Sequence, residues 1–333
     1  VMPSMDAVAD LGGYIEDISV HESGVFFFVN NGDLYQTHAD SSMVMQLSAY
    51  SGLNSILIRD SVMLFTAGNE LYFGTLDPVG NFTEDITSPL ATSLGGDVDI
   101  LIAPMSKLVY LFSEGTTPSL VKLSDSYYSL SSSTMESDIS PTTLNNLVEW
   151  RSCGIGPDGR VFIGGSDFNN LYFAHSDDEA TWAETNTGIQ GSGGRNFSFS
   201  DTSSNYRVYN EKLYNSDRGD VIWSEFGSTS FETHPNDGAV HCDQSTGIVF
   251  MTTDMGLGAS EDGGPNIFEV NDGIEAVHVN GIDMTASKAT AWVASKSGVR
   301  QVQDYTTSPM WSNAIYPGGD GSPYWSVAIN PED

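Results

Sequence analysis

The chain has 333 residues, 39% of them hydrophobic, with 34 glycines and 13 prolines, enough apolar material for a core and enough breakers for many short turns. Forty-four acids against 12 bases set the formal charge at −32, which argues against nucleic acid and anionic membrane surfaces as partners, because phosphate binding needs clustered Lys and Arg. No apolar run approaches the ~20 residues of a spanning helix, so no membrane insertion is expected. The acidity reads as a solvated, self-repelling surface or as a run of calcium sites, since oxygen-rich turns suit that ion.

Val1 opens the chain in place of Met, and no charged segment with an apolar h-region follows it; a processed or excised chain, secreted or held at a cell surface, is expected. Residues 5–11 read as a closing strand. An apolar strand then recurs behind a turn: 24–29 (GVFFFV), 61–66 (SVMLFT), 107–112 (KLVYLF), 160–164 (RVFIG), 206–210 (YRVYN), 248–252 (IVFMT) and 290–294 (TAWVA). The mean spacing from Phe26 to Trp292 is about 44 residues, the size of a four-stranded propeller blade. Partners lie upstream at 15–20, 55–58, 98–102, 151–154, 197–200, 239–242 and 276–279. Third strands lie downstream at 33–37, 70–74, 118–123, 170–174, 220–224, 257–260 and 299–302. A poorer fourth strand closes each unit, as edge strands do. Helical periodicity is missing except at 142–149, which suits one or two turns.

The expected fold is all-β: a seven-bladed β-propeller of four-stranded antiparallel blades, one domain over 1–333. About 1–13 form the closing strand, 14–315 the seven repeats, and 316–333 the start of a further repeat or a linker. Cys153 and Cys242 fall in equivalent strands of non-adjacent repeats, too far apart on this reading for a bridge. Asn81-Phe82-Thr83 and Asn196-Phe197-Ser198 are sequons.

Two acidic turns stand out. In repeat four, His175-Ser176-Asp177-Asp178-Glu179-Ala180-Thr181-Trp182 resembles the Ser-x-Asp-x-Gly-x-Thr-Trp turn of Asp-box propellers, the sialidase-like and sortilin-like family. Asp177, Thr181 and Trp182 match it, His175 replaces the Ser and Glu179 the Gly. In repeat six, Ser260, Asp262, Gly264 and Phe268 match with one inserted residue; in repeat five, 224–231 keep the frame but Phe226 replaces the Asp. Such a turn needs a short acid to accept backbone N–H groups, a residue with positive φ and an aromatic to pack between neighbouring sheets. The resemblance implies a structural role for these residues, on the face opposite the ligand.

Ligands of propellers usually meet the blade-to-blade loops and the second-to-third-strand loops. Those loops hold the carboxylates Glu149, Asp167, Asp217, Asp254 and Asp320 and the aromatics Tyr50, Phe168, Tyr214, Tyr316 and Tyr324. Asp167, Tyr214, Asp254 and Tyr316 are the binding candidates: aromatics stack on a sugar ring and acids bond its hydroxyls. Thr253-Asp254-Met255-Gly256 resembles the Thr-Asp-x-Gly loop of xyloglucanase-type propellers, which implies Asp254 as the catalytic candidate. Glycoside hydrolysis needs two facing carboxyls, and that family sets them on two propellers. A sialidase would need an arginine triad and an Arg-Ile-Pro signature, which is missing. No zinc spacing, serine elbow or phosphate loop occurs, so no cofactor is implied. The best-supported reading is a non-catalytic extracellular binding or assembly module recognising a neutral or basic protein or glycan. A glycoside hydrolase fragment and a structural part of a filament, coat or adhesin are the alternatives.

Overall fold

Each recurrent apolar run forms the second strand of an antiparallel sheet. The computed structural model describes residues 15–21, 23, 25–38, 44–167 and 169–190, and beyond these the strands alone with residues 248 and 312. It divides into two compact units, a larger one of residues 7–207 and 215–224 and a smaller one of 1–6, 208–214 and 225–333.

The larger unit holds four complete sheets. Sheet one is β1 (Ile15–Val20), β2 (Val25–Asn30), β3 (Asp33–His38) and β4 (Val44–Ser51). Sheet two is β5 (Leu53–Arg59), β6 (Val62–Ala67), β7 (Glu70–Leu76) and β8 (Phe82–Glu84), with the short β9 (Leu90–Ala91) also on β7. Sheet three is β10 (Val98–Ile102), β11 (Leu108–Ser113), β12 (Ser119–Ser126) and β13 (Glu136–Asp138). Sheet four is β14 (Glu149–Ile155), β15 (Val161–Ser166), β16 (Asn170–Ser176) and β17 (Ala183–Gln190).

Further along come β18 (Ser198–Phe199), β19 (Ser204–Tyr209), β20 (Lys212–Asp217) and β21 (Ser224–Thr229), then β22 (Val240–Cys242), β23 (Val249–Thr253), β24 (Gly256–Ser260) and β25 (Asn266–Glu269). Last are β26 (Val279–Met284), β27 (Thr290–Ser295), β28 (Gly298–Gln303) and β29 (Met310–Trp311). The described strands thus form seven consecutive groups of four, plus β9, with no helix among the described residues. Within the smaller unit β21 pairs parallel with β25, Thr229 opposite Ile267.

The core lies between sheets. Along β6, Met63 and Phe65 join Val25, Phe27 and Val29 of sheet one, while Val62 and Leu64 join Val98, Ile100 and Leu111 of sheet three. Along β11 the alternation repeats: Val109 and Leu111 face sheet two, and Tyr110 and Phe112 face Trp150, Val161 and Ile163 of sheet four. A strand buried on both faces must be apolar at every position, which is why these runs show no polar alternation. Each fully buried side chain of this kind contributes about 1.5–3 kcal/mol.

Short turns set the register. Asn31 and Gly32 both have positive φ, 52° and 75°, between the paired Asn30 and Asp33, as a two-residue hairpin demands. Gly80, at φ 87°, lies so close to sheet one that a Cβ there would fall 2.6 Å from the Val25 side chain. Inner strands are also stitched edge to edge: Asp17 Oδ2 on β1 accepts the Ile56 amide at 2.8 Å, and Ser19 Oγ accepts that of Ile58 at 2.7 Å. Burial pushes the Asp17 carboxyl up despite these bonds.

Three expectations are corrected. The third strand of repeat five is β20 at Lys212–Asp217, since two residues separate it from β19, and 220–224 do not form it. The inner strand of repeat seven is Val279–Met284, aligned by Asp283 opposite Trp292. Residues 142–149 carry no helical turn; the Val148 amide bonds back to the Asn145 carbonyl at 3.2 Å instead. The proposed closing strand at 5–11 and the segment 316–333 lie outside the described residues.

Leu111→Ala, at a fully buried position, should cost about 2–5 kcal/mol, and Gly80→Ala about 1–3 kcal/mol through its backbone conformation and the Val25 contact. Ile86→Ala, at a 99% exposed position, should stay within about 0.5 kcal/mol. Urea unfolding of the three variants against the parent checks the ranking.

Candidate functional site

Of the four binding candidates, Asp167 is placed best. It sits in the β15–β16 turn, the expected loop, but its carboxylate is engaged in holding that turn. Oδ1 accepts the amides of Asn169 and Asn170 at 2.9 and 2.7 Å, and Oδ2 accepts the Tyr172 hydroxyl at 3.0 Å. The Asn170 and Asn169 amides hold its pKa below the ordinary carboxylate value. Tyr214 belongs to β20, a strand and not a loop. Asp254, between β23 and β24, and Tyr316 lie outside the described residues. Tyr50 is no free platform: it packs edge-on against Phe65 and Tyr72, with centroids at 4.9 and 5.7 Å, and donates to Glu84 at 2.5 Å. Glu149 pairs with Arg151 at 2.5 Å. Cys153 carries a free thiol, with its pKa raised by burial.

The acidic turn of repeat four is built differently from its expected alignment. Asp178 is the carboxylate that accepts the Ala180 and Thr181 amides, at 3.0 and 2.6 Å, together with the Ser176 hydroxyl at 3.1 Å. The Thr181 amide leads in lowering its pKa to about 2. Asp177 forms a two-pronged pair with Arg160 at 2.7 and 2.8 Å, joining this turn to the β14–β15 turn. Ser176, the last residue of β16, stands where His175 was aligned, because β16 continues through it. Glu179 does occupy the glycine position, with φ 60°. Trp182 is half-buried against the core between sheets three and four. In repeat six Ser260 is fully buried, whereas Phe268 is 53% exposed on β25 and closes no inter-sheet gap. Asp262 and Gly264 lie outside the described residues.

Glu179 leads to the site that sequence patterns missed. Its carboxylate accepts the Tyr110 hydroxyl at 2.6 Å and the Lys122 ammonium at 2.5 Å. Tyr110 and Lys122 are cross-strand partners on β11 and β12, so a turn of sheet four grips sheet three. Burial and the Glu179 bond push the Tyr110 hydroxyl well above its ordinary pKa. Beside this triad opens a cavity of about 230 Å³, bordered by Ser106, Met105 and Asp158 of the β10–β11 and β14–β15 turns. It lies at the opposite end of β15 from Asp167. The signal available in advance was Lys122 itself, one of 12 bases in a strongly acidic chain, placed inside a strand. No group of three His, Cys, Asp or Glu among the described residues is arranged to hold a metal ion.

No protein-family model matches the sequence, and no curated protein matches it. Solved structures do. A streptogramin B lyase is similar over 84% of this chain and 89% of its own, at 12% identity and TM-score 0.55. YCF48 bound to D1 peptide is similar over 89% and 94%, at 16% identity and TM-score 0.55. A virginiamycin B lyase from Staphylococcus aureus is similar over 84% and 90%, at 11% identity and TM-score 0.54. All are β-propellers. The fold is a β-propeller. At these identities the likeness concerns the fold alone, and within it the chain's own side chains must define the site.

Two outcomes test this propeller's turn. Glu179→Ala should destabilise by losing the Tyr110 and Lys122 bonds while keeping the left-handed backbone. Glu179→Gly loses the same bonds but should be more stable than Glu179→Ala by about 1 kcal/mol, as measured by urea unfolding. For Asp178, a folded pKa near 2 against the ordinary 3.8 means that the unfolded chain binds its proton more readily. Its stabilising contribution is therefore complete above the ordinary value and disappears as pH falls through about 2. Asp178→Ala should unfold at lower urea than the parent at about pH 6, and the gap should close towards about pH 2.

Proposed function

We propose that this propeller is a non-catalytic, extracellular binding module that holds a protein or glycan through one face. The observation that carries this reading is the cavity beside Lys122 and Glu179, where charged and hydroxyl groups are fixed by bonds between two sheets and left accessible at the mouth. Pre-set donors and acceptors lower the ordering cost of binding. YCF48, of the same fold, was solved with a peptide bound, which supports recognition as a role for such a scaffold. The bonded turn from Ser176 to Thr181 supports kinship with Asp-box propellers. With a formal charge of −32, a neutral or basic partner is favoured, since an anion would approach through a repulsive field.

The test is an array of peptides and glycans, run beside hydrolysis assays on β-glucan, xyloglucan and sialosides. Binding without turnover is expected. Cleavage at an enzymatic rate that Asp254→Asn abolishes would establish the hydrolase reading instead, and an array with no partner would leave the structural reading.

A further inference from the structure

We infer that the cavity between sheets three and four seats a neutral sugar ring; this rests on the binding reading above and names its ligand class. Local charge is the first argument. Lys122 and Glu179 compensate each other at 2.5 Å, and Asp158 adds one further carboxylate at the rim. An anionic ligand would face two carboxylates and the field of an acidic protein. A cationic ligand would have to share Glu179 with an ammonium already in place. A neutral polyol meets neither penalty.

Hydrogen-bonding capacity is the second. The Lys122 ammonium has three N–H donors, and among the described residues only Glu179 takes one. The Ser106 hydroxyl lines the same space, as do Glu179 and Asp158 as acceptors. Donors and acceptors therefore alternate over a few ångströms, the pattern that sugar hydroxyls, each both donor and acceptor, can satisfy. Shape is the third. The lip is formed by Pro104 and by Met105, 79% exposed, an apolar edge for the C–H face of a ring. A volume of about 230 Å³ suits one ring, not a long chain; any remaining units of a glycan would extend into solvent.

The experiment titrates the full chain with the methyl glycosides of glucose, galactose, mannose and xylose, followed by ligand-observed NMR. Arginine methyl ester and acetate serve as cationic and anionic competitors. At least one glycoside should bind saturably with a Kd of about 1–10 mM, as about a dozen ligand heavy atoms allow. Lys122→Met should weaken it at least about tenfold, as loss of a charged hydrogen bond implies. Ser106→Phe, at the exposed mouth, should block binding while leaving the Lys122–Glu179 pair intact; it decides the matter if Lys122→Met does not fold. The inference is overturned if no glycoside saturates by about 100 mM, if both folded variants bind like the parent, or if a competing ion binds more tightly at the same residues. Array partners that bind the two variants unchanged would leave the binding reading standing while removing the sugar from this cavity.

Discussion

The constraint on which this protein depends is that its sheets have no exposed face where they meet. Sheets two and three each pack on a neighbour at both sides, so β6 and β11 must be apolar at every position. Met63 and Phe65 point one way, and Val62 and Leu64 the other. A layered antiparallel protein could spend one face of each sheet on water; these sheets cannot. Burial is therefore distributed over successive interfaces, each with its own aromatic and branched residues, and no single sheet has a core of its own.

Polar groups do complementary work at the strand ends. The third-to-fourth-strand turns reach back onto the preceding sheet. Gly80 approaches Val25 and its carbonyl accepts from Gln36 at 3.2 Å; Tyr127 donates to Asp60; Glu179 holds Tyr110 and Lys122. Three different residue types thus solve one geometrical problem. Asp178 adds a second layer, fixing the turn from which Glu179 projects. The carboxylates that gave the chain its acidity are in these places structural ligands for backbone amides and hydroxyls.

Much of this was legible in advance, and the reason is the same constraint. Strands such as 61–66 and 107–112 are unbroken apolar runs because both faces are buried, and their recurrence every 44 residues or so marks blades. The reading failed where strands are polar. Lys212–Asp217 (KLYNSD) looks less like a strand than 220–224 (DVIWS), yet hairpin connection decides in its favour. Two adjacent aspartates gave no sign of which one holds the turn; only the point where β16 ends, at Ser176, selects Asp178 over Asp177. The cavity was invisible because Tyr110, Lys122 and Glu179 meet through cross-strand pairing and inter-sheet contact, which linear spacing does not encode.

The backward reach of these turns also gives the chain a direction. In sheets one to three, part of what secures each sheet is contributed by residues synthesised some forty to seventy positions later: Tyr127 for Asp60, Glu179 for Lys122. A nascent chain emerging from the ribosome would carry its newest sheet unclasped until the following one had been made. Loss of material from the carboxyl-terminal side of sheet four would strip the clasp from sheet three. Loss of sheet one would leave the clasps on sheets two and three in place. Tolerance of truncation is thus unequal at the two ends of this four-sheet segment, a vectorial property arising from side chains in turns and not from the symmetric strand pattern.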